Sequence, residues 1–369
     1  MRTEKCADFT PTFDSKRPCL YYMEQAGGRI CGLCKQPDKY RCLADLGEKP
    51  LPLSHSAVQD FLTCKQLFYM KQVMGLQVRS EHLSGAIKMG VLWDAVLQWY
   101  LGNKDINIQN IIDEYSIHET QVAMVRGLYR AYKDLGVNVE EGGKLQAPIV
   151  VNIRDFGDGE KVWGDGMPVE LLVRGFLDRK YDNYFAENKL SSRPDSYLDV
   201  FFIQSQVATY FLADPALEYC VMEVVRTPML KITKAEELNE DFKGYENRIY
   251  ADIVSRPAHY FIGWDKDKRT YGKRFYRSEF NLDEVLHRYK RIFIEIHESL
   301  WCESWYRNDR ACKGIMPGIS CDYIGACRYN NASESVYEIR KKEEWLGVEE
   351  TDVSEPQSKS EQKQQELEL

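Results

Sequence analysis

Apolar positions recur at helical spacing over residues 56-74, 85-101, 107-135, 197-213 and 281-301, and crowd into strand-like runs near 145-153, 170-181, 184-190, 217-227 and 257-264. Strands gathered in the middle of the chain, with helices before and after them, predict an α/β fold: a mixed central β-sheet flanked by helices. A chain of 369 residues has room for one sizeable domain with small appendages. The pattern divides it into a cysteine-rich head at 1-50, a core at 51-333 and an acidic tail at 334-369. That tail is rich in Glu, Gln, Ser and Lys, nearly lacks aromatics after Trp345 and is expected to be disordered.

Among the strand-like runs the most informative is Gly175-Phe-Leu-Asp178-Arg-Lys-Tyr-Asp-Asn-Tyr-Phe-Ala-Glu187-Asn-Lys189. Asp182-Asn183 is a two-residue turn signal between aromatic, apolar stretches. It predicts a β-hairpin in which Tyr181 pairs with Tyr184 and Asp178 stands opposite Glu187. Cross-strand partners sit about 4.5 to 5.5 Å apart at Cβ, where like charges destabilise the pair unless something neutralises them. A hard divalent cation held by oxygen ligands would do so. Side chains alternate along a strand, so Lys189 shares the face of Glu187 and points at the same spot. Two acids and an ammonium converging in this way suit metal-assisted phosphodiester hydrolysis, with Lys189 orienting water or stabilising the developing negative charge. The plainer reading of the same string is an exposed hairpin with a surface Glu and Lys two apart.

Two cysteine groups flank this hairpin. Cys312, Cys321 and Cys327 are closely spaced late in the chain, with Cys64 a distant fourth. In a chain without a secretory signal these thiols favour metal ligation over disulfides, and four thiolates hold either zinc or an iron-sulfur cluster. Cys302 is an alternative ligand whose Trp-rich surroundings read better as core packing, as does the apolar run around Cys220. The head carries Cys19-x11-Cys31-Gly-Leu-Cys34-x7-Cys42, with Cys6 in reserve. A glycine-containing C-x2-C knuckle flanked by cysteines is a zinc signal, and about fifty residues bury too little core to fold without a staple. A second iron-sulfur cluster and unligated thiols are the alternatives there.

Charge changes the picture once it is localised. The net charge of -8 argues at first sight against a polyanionic partner. Glu343 to Leu369 supplies nine acids and two lysines, a net of -7, which leaves about -1 for the rest. Positive charge collects at Lys266, Lys268, Arg269, Lys273, Arg274 and Arg277, interleaved with Tyr271, Phe275 and Tyr276. Such a stretch either tracks phosphates and stacks bases or forms a twisted hairpin whose aromatics pack inward. No apolar run approaches the roughly 20 residues of a membrane span, and Met1-Arg-Thr-Glu lacks a signal-peptide stretch, so a cytoplasmic protein is expected. No Walker loop, Rossmann fingerprint, zinc-protease signature or internal repeat is present, and Ser54-His55-Ser56 has no evident acid partner for serine catalysis.

Taken in order, the segments from about Leu53 to Tyr329 resemble the PD-(D/E)XK nuclease superfamily, in its RecB-like exonuclease branch with an iron-sulfur cluster, which includes AddB-type and CRISPR-associated nucleases and phage relatives. The carrying motifs are Leu53-Ser-His-Ser56-x7-Cys64-x3-Phe68-Tyr69, Gly90-x3-Asp94, the Asp178, Glu187 and Lys189 hairpin, Gln206-x3-Tyr210, and Cys312-x8-Cys321-x5-Cys327. The resemblance implies a restriction-endonuclease-like core, a [4Fe-4S] cluster on Cys64, Cys312, Cys321 and Cys327, and a Mg2+ or Mn2+ site on Asp178 and Glu187 with Asp94. Asp94 stands where the family has histidine, and its oxygen ligands still suit magnesium or manganese. Gln206 and Tyr210, four apart and so on one helix face, are implied to line the substrate path. The function implied is a metal-dependent DNA nuclease, an exonuclease on single-stranded ends in recombination, repair or phage DNA processing, working beside a helicase or recombinase. The competing class is a DNA-binding adaptor that retains the fold without the chemistry.

Overall fold

The computed structural model of the chain describes residues 52-153, 171-199, 205-232, 240-301, 304-312, 321-329 and 332-339. The cysteine-rich head, Cys302 and most of the acidic tail lie outside them. Strand β1 (Pro52–Ser54) runs straight into helix α1 (His55–Thr63), and α2 (Lys65–Phe68) and a π-helical turn at Tyr69–Val73 follow. Next come β2 (Leu76–Val78), α3 (Gly85–Tyr100), α4 (Ile108–Glu114) and α5 (Glu119–Asp134). The centre of the chain supplies β3 (Lys144–Ile153), β4 (Leu171–Lys180), β5 (Tyr184–Ser191), α6 (Pro194–Asp199), α7 (Ser205–Ala213) and β6 (Tyr219–Arg226). Helices α8 (Phe242–Ser255) and α9 (Pro257–Tyr260), β7 (Lys273–Tyr276), α10 (Leu282–Trp301), α11 (Asp309–Cys312), α12 (Ile324–Tyr329) and β8 (Tyr337–Ile339) complete the order.

The sheet is mixed and six-stranded, in the order β1-β4-β5-β6-β7 with β3 also on β4. β1 with β4 and β5 with β6 are parallel; β3 with β4, β4 with β5 and β6 with β7 are antiparallel. The expected mixed sheet between helices is therefore present. Each face buries its own core. Val58 and Phe61 of α1, Val207 and Phe211 of α7, and Tyr289 and Phe293 of α10 cover Phe185, Met222 and Val224 on one side. On the other, Trp93 and Val96 of α3, Leu128 and Tyr132 of α5, and Ile249 and Ile253 of α8 gather around Val225. Alternating burial along β3 follows from one face being packed and the other left open. Helices α5 and α8 approach closely because Gly127 has no side chain; a Cβ there would meet the Glu246 carbonyl at 2.8 Å.

Several expectations change. The helix expected over 56-74 is interrupted at Cys64, whose φ of −164° is extended backbone. The helix expected over 107-135 is two: Ser116 takes φ 46°, and His118 caps α5 by accepting from Thr120 N at 3.1 Å. The strand expected at 257-264 is instead α9, because Pro257 cannot donate to a ladder and is well placed in a first helical turn; only Phe261 bridges to Val225. Helix α8 was not anticipated, although Asp241 caps it and Tyr245, Ile249 and Ile253 recur at helical spacing, all fully buried. In the basic stretch, Tyr271 and Phe275 pack inward and only Tyr276 is exposed, so the twisted-hairpin reading holds for two of its three aromatics. The core also passes the boundary expected at 333, since β8 pairs antiparallel with β2.

Candidate active site

The predicted hairpin forms, and the site opens where it stops being one. Tyr181 N donates to the Tyr184 carbonyl at 2.9 Å, and Lys180 pairs with Phe185 and Arg179 with Ala186. The next pair in that register is Asp178 with Glu187, but the ladder has ended. β4 takes β1 as its partner at Leu172 to Arg174, while β5 continues along β6. The sheet forks, and the Asn188 N–H, released from β4, is bound by Asp178 Oδ2 at 2.8 Å. A second feature turns Asp178 toward the fork. Leu177 lies in the core under α7, whereas Arg179 pairs with Glu223 beside Tyr132 and Tyr271 of the opposite core. A flat strand would place both on one face, so the ribbon coils sharply at Asp178, near Gln146 with its φ of 45°.

Three elements close on the fork. From β5, Glu187 is 2% exposed, and its Oε1 accepts from Lys189 Nζ at 2.7 Å, as strand alternation predicts. From α7, Gln206 Nε2 donates to the same Oε1 at 3.0 Å and to the Tyr210 hydroxyl at 2.7 Å. Tyr210 reaches this position because Gly175 is bare; a Cβ there would lie 3.2 Å from its ring. From α3, on the other side of the sheet, comes Asp94, whose Oδ2 accepts from Gln98 Nε2 at 2.7 Å. Burial lifts the Glu187 carboxyl to about 7, with Lys189 opposing and Asp178 and Asp94 adding to the rise. Burial and then Asp178 raise Asp94 to about 6, against Gln98 and Lys189. Burial likewise pushes the Tyr210 hydroxyl up, and Glu187 adds to it. The structure thus brings together Asp94, Asp178, Glu187, Lys189, Gln206 and Tyr210.

Glu187 Oε2 is buried and has no hydrogen-bond partner. That orphaned oxygen, beside two further acids, is the donor chemistry a hard divalent cation takes. Among the described residues no group of three or more His, Cys, Asp or Glu side chains is drawn into a ready metal shell. In the fork, one oxygen of each acid is held by protein: Glu187 by Lys189 and Gln206, Asp178 by Asn188 N, and Asp94 by Gln98.

Sequence reasoning missed a polar cluster at the start of α1. His55 Nδ1 lies 3.2 Å from Ser205 Oγ, which also accepts from Gln59 Nε2 at 3.2 Å. Burial first, then Arg288 and Lys189, lower His55 to about 4, so it is neutral at physiological pH. A Ser–His contact in cationic surroundings lacks the acid that would make a nucleophile. Its signal in the sequence was only the Ser54 cap that fixes the first turn of α1.

At the other end of α1 lies the cysteine group. Cys64, Cys312, Cys321 and Cys327 are all free and partly buried. Burial raises Cys312, and Cys64 and Cys327 add to it; burial raises Cys321, with Cys312 and Cys64 adding. Cys64 and Cys327 thus lie near Cys312, and Cys312 and Cys64 near Cys321, but among the described residues these thiols do not form a group placed to hold a metal ion. Protein contacts already clasp this region: Trp305 stacks on Tyr69 and Phe68, Asn308 Nδ2 donates to the Thr63 carbonyl at 2.8 Å, and β8 pairs with β2. Cys220 is fully buried in β6, the core packing its apolar run suggested. Cys19, Cys31, Cys34 and Cys42 lie outside the described residues.

No family model and no curated protein matches this chain. None of the described helices is long and apolar enough to cross a membrane.

Proposed function

We propose that the fork is the active site of a metal-dependent DNA nuclease with a restriction-endonuclease-like core of the PD-(D/E)XK, RecB-like type, acting on single-stranded ends. The observation that carries this reading is Glu187: a carboxylate buried in the sheet, with one oxygen unpartnered, facing two more acids and hydrogen-bonded to a lysine two residues on. Asp178 and Glu187 with Asp94 would hold Mg2+ or Mn2+. When bound, that ion polarises the phosphoryl oxygen, lowers the pKa of water and steadies the leaving oxygen.

The chain's own groups do the rest. Lys189, held on the Glu187 face, orients the attacking water and opposes charge developing on the phosphate. Gln206 fixes the Glu187 rotamer and, with Tyr210, walls the fork on the α7 side. Asn188 N–H fixes Asp178. On the same reading Cys64, Cys312, Cys321 and Cys327 would carry a [4Fe-4S] clasp, the head thiols would bind zinc or a second cluster, and a helicase or recombinase would deliver ends.

The competing reading, a DNA-binding adaptor, draws on one observation: Asp94 replaces an expected histidine and is bound to Gln98. Incubating anaerobically purified protein with end-labelled and circular single-stranded DNA in Mg2+ or Mn2+ decides between them. Cleavage that disappears in Glu187→Ala and Lys189→Ala establishes the nuclease, and the circular substrate separates end-dependent from internal cutting. Binding without cleavage by cluster-loaded wild type promotes the adaptor.

A further inference from the structure

Beside the fork, the outer face of the β3–β4 ribbon is apolar and open. Phe176, two residues before Asp178, is 60% exposed, and Val150 on β3 is 48% exposed. Phe176 stands opposite Pro148 and Val150 opposite Arg174. The reverse face of this ribbon is the packed one: Ala147, Ile149, Val151, Val173 and Leu177 are buried, and Gly175 touches Tyr210. Pattern alone would place a polar side chain at 176, since the open face of a two-stranded antiparallel ribbon meets water. An aromatic ring there leaves hydrophobic area in solvent that a bound partner can cover.

We infer that Phe176 is a stacking platform for a base of single-stranded nucleic acid adjoining the phosphate at the fork, with Arg174 serving a further phosphate along the same strand. The inference rests on the nuclease reading of the fork and names how its substrate is held. Three observations favour this occupant. The patch is continuous with the fork, because residues two apart on a strand are about 6.8 Å apart, comparable to one nucleotide of an extended strand. The row on this face, Arg174 and then Phe176, alternates cation and ring, the pairing that binds a phosphate and stacks its base. Every base offers a π-face, so the platform reads no sequence, and a duplex, whose bases are already stacked, gains nothing from it.

The test is binding rather than cleavage, in the full-length Glu187→Gln protein, so that it does not depend on turnover. Labelled single-stranded and duplex oligonucleotides of equal length are titrated by fluorescence anisotropy. Phe176→Ala is expected to weaken single-strand binding about tenfold and leave duplex binding unchanged, and Phe176→Trp to restore it with quenching of the new indole. Arg174→Ala is expected to flatten the salt dependence of single-strand binding. Equal loss for single strand and duplex, or no loss in Phe176→Ala, overturns the inference. So does a Phe176→Ala protein whose oligomeric state changes, which would make this face a contact between copies. Phe176-dependent binding in a wild type that never cleaves leaves the platform standing and sinks the nuclease. Cleavage with unaltered Phe176→Ala binding does the reverse.

Discussion

The two ends of α1 are built on opposite principles. At its first residue, His55, the helix contacts Ser205 of α7, one residue before the fork's Gln206, and just past its last it reaches the clasp at Cys64, nine residues and about 13 Å on. The acids of the fork are held by protein: each has a hydrogen-bond donor, and Glu187 is buried in the middle of the sheet. The thiols of the clasp are partly exposed and come from segments far apart: Cys64 just past α1, Cys312 on α11, Cys321 ahead of α12 and Cys327 on it. A site that must position charge is built into the most rigid part of the fold, whereas a tie can be assembled from segments far apart in the chain. The fork should therefore lose chemistry without losing fold, and the clasp the reverse.

The largest expected effect tests the first half. Glu187→Gln keeps the size of the side chain and removes its charge, and should lower metal-dependent cleavage about a thousandfold, roughly 4 kcal/mol of barrier. Its melting temperature should not fall. A Glu187→Gln protein that melts well below wild type would show that the carboxylate props up the sheet, and the contrast between the two ends would collapse.

The electrostatic strain of the fork can be read from stability as well. Burial holds Glu187 near 7 and Asp94 near 6, above their ordinary values of 4.5 and 3.8. An acid raised on folding is penalised wherever it is ionised, so metal-free protein should lose stability as pH climbs from about 4 to about 7 and level off above that. For Glu187 alone the loss is on the order of 3 kcal/mol. Urea melts at about pH 5 and about pH 8 should show this slope in wild type and much less of it in Glu187→Gln. Added Mg2+ should flatten it in wild type. Equal slopes in the two proteins would mean that these acids are not strained.

The clasp should respond in its own region. Trp305 stacks on Tyr69 at 5.1 Å between ring centroids, with 28° between planes, and on Phe68 at 6.1 Å. Trp305→Ala should cost about 2 kcal/mol, below the fully buried range because the ring is only partly covered. Hydrogen exchange should quicken at Leu76–Val78 and Tyr337–Ile339 while the β5–β6 ladder keeps its protection. Exchange that quickens equally in β5 and β6 would mean that clasp and fork unfold as one unit.

Much of the fork was legible in the sequence because its parts are local. A turn dipeptide fixes the Asp178 and Glu187 register, strand alternation fixes Lys189, and helical spacing pairs Gln206 with Tyr210. What pattern could not give was the fork itself, which arises because β1, more than a hundred residues away in the chain, takes the edge of β4 at Leu172 to Arg174 that β5 leaves after Arg179. Nor could it find His55 beside Ser205, a contact between two helices whose spacing in the chain says nothing about distance. The strand misread at 257-264 had its correction in plain view at Pro257, while α8 was missed because a single stripe of Tyr245, Ile249 and Ile253 is diluted by charged neighbours.

The finest test of the contrast is Gly175→Ala. Its backbone needs no left-handed conformation, and alanine is favoured over glycine in a strand by roughly 0.5 to 1 kcal/mol. Against that gain stands a methyl group 3.2 Å from the Tyr210 ring, close enough to push the ring by a few tenths of an ångström. The two should nearly cancel in stability. They do not cancel in the fork, because Tyr210 is bonded to Gln206 and Gln206 to Glu187. Cleavage should fall about three- to tenfold with the melting temperature almost unmoved, since small misplacements of a catalytic group are felt in rate long before they are felt in fold. A variant that loses stability but not rate would place Tyr210 in the core and outside the chemistry.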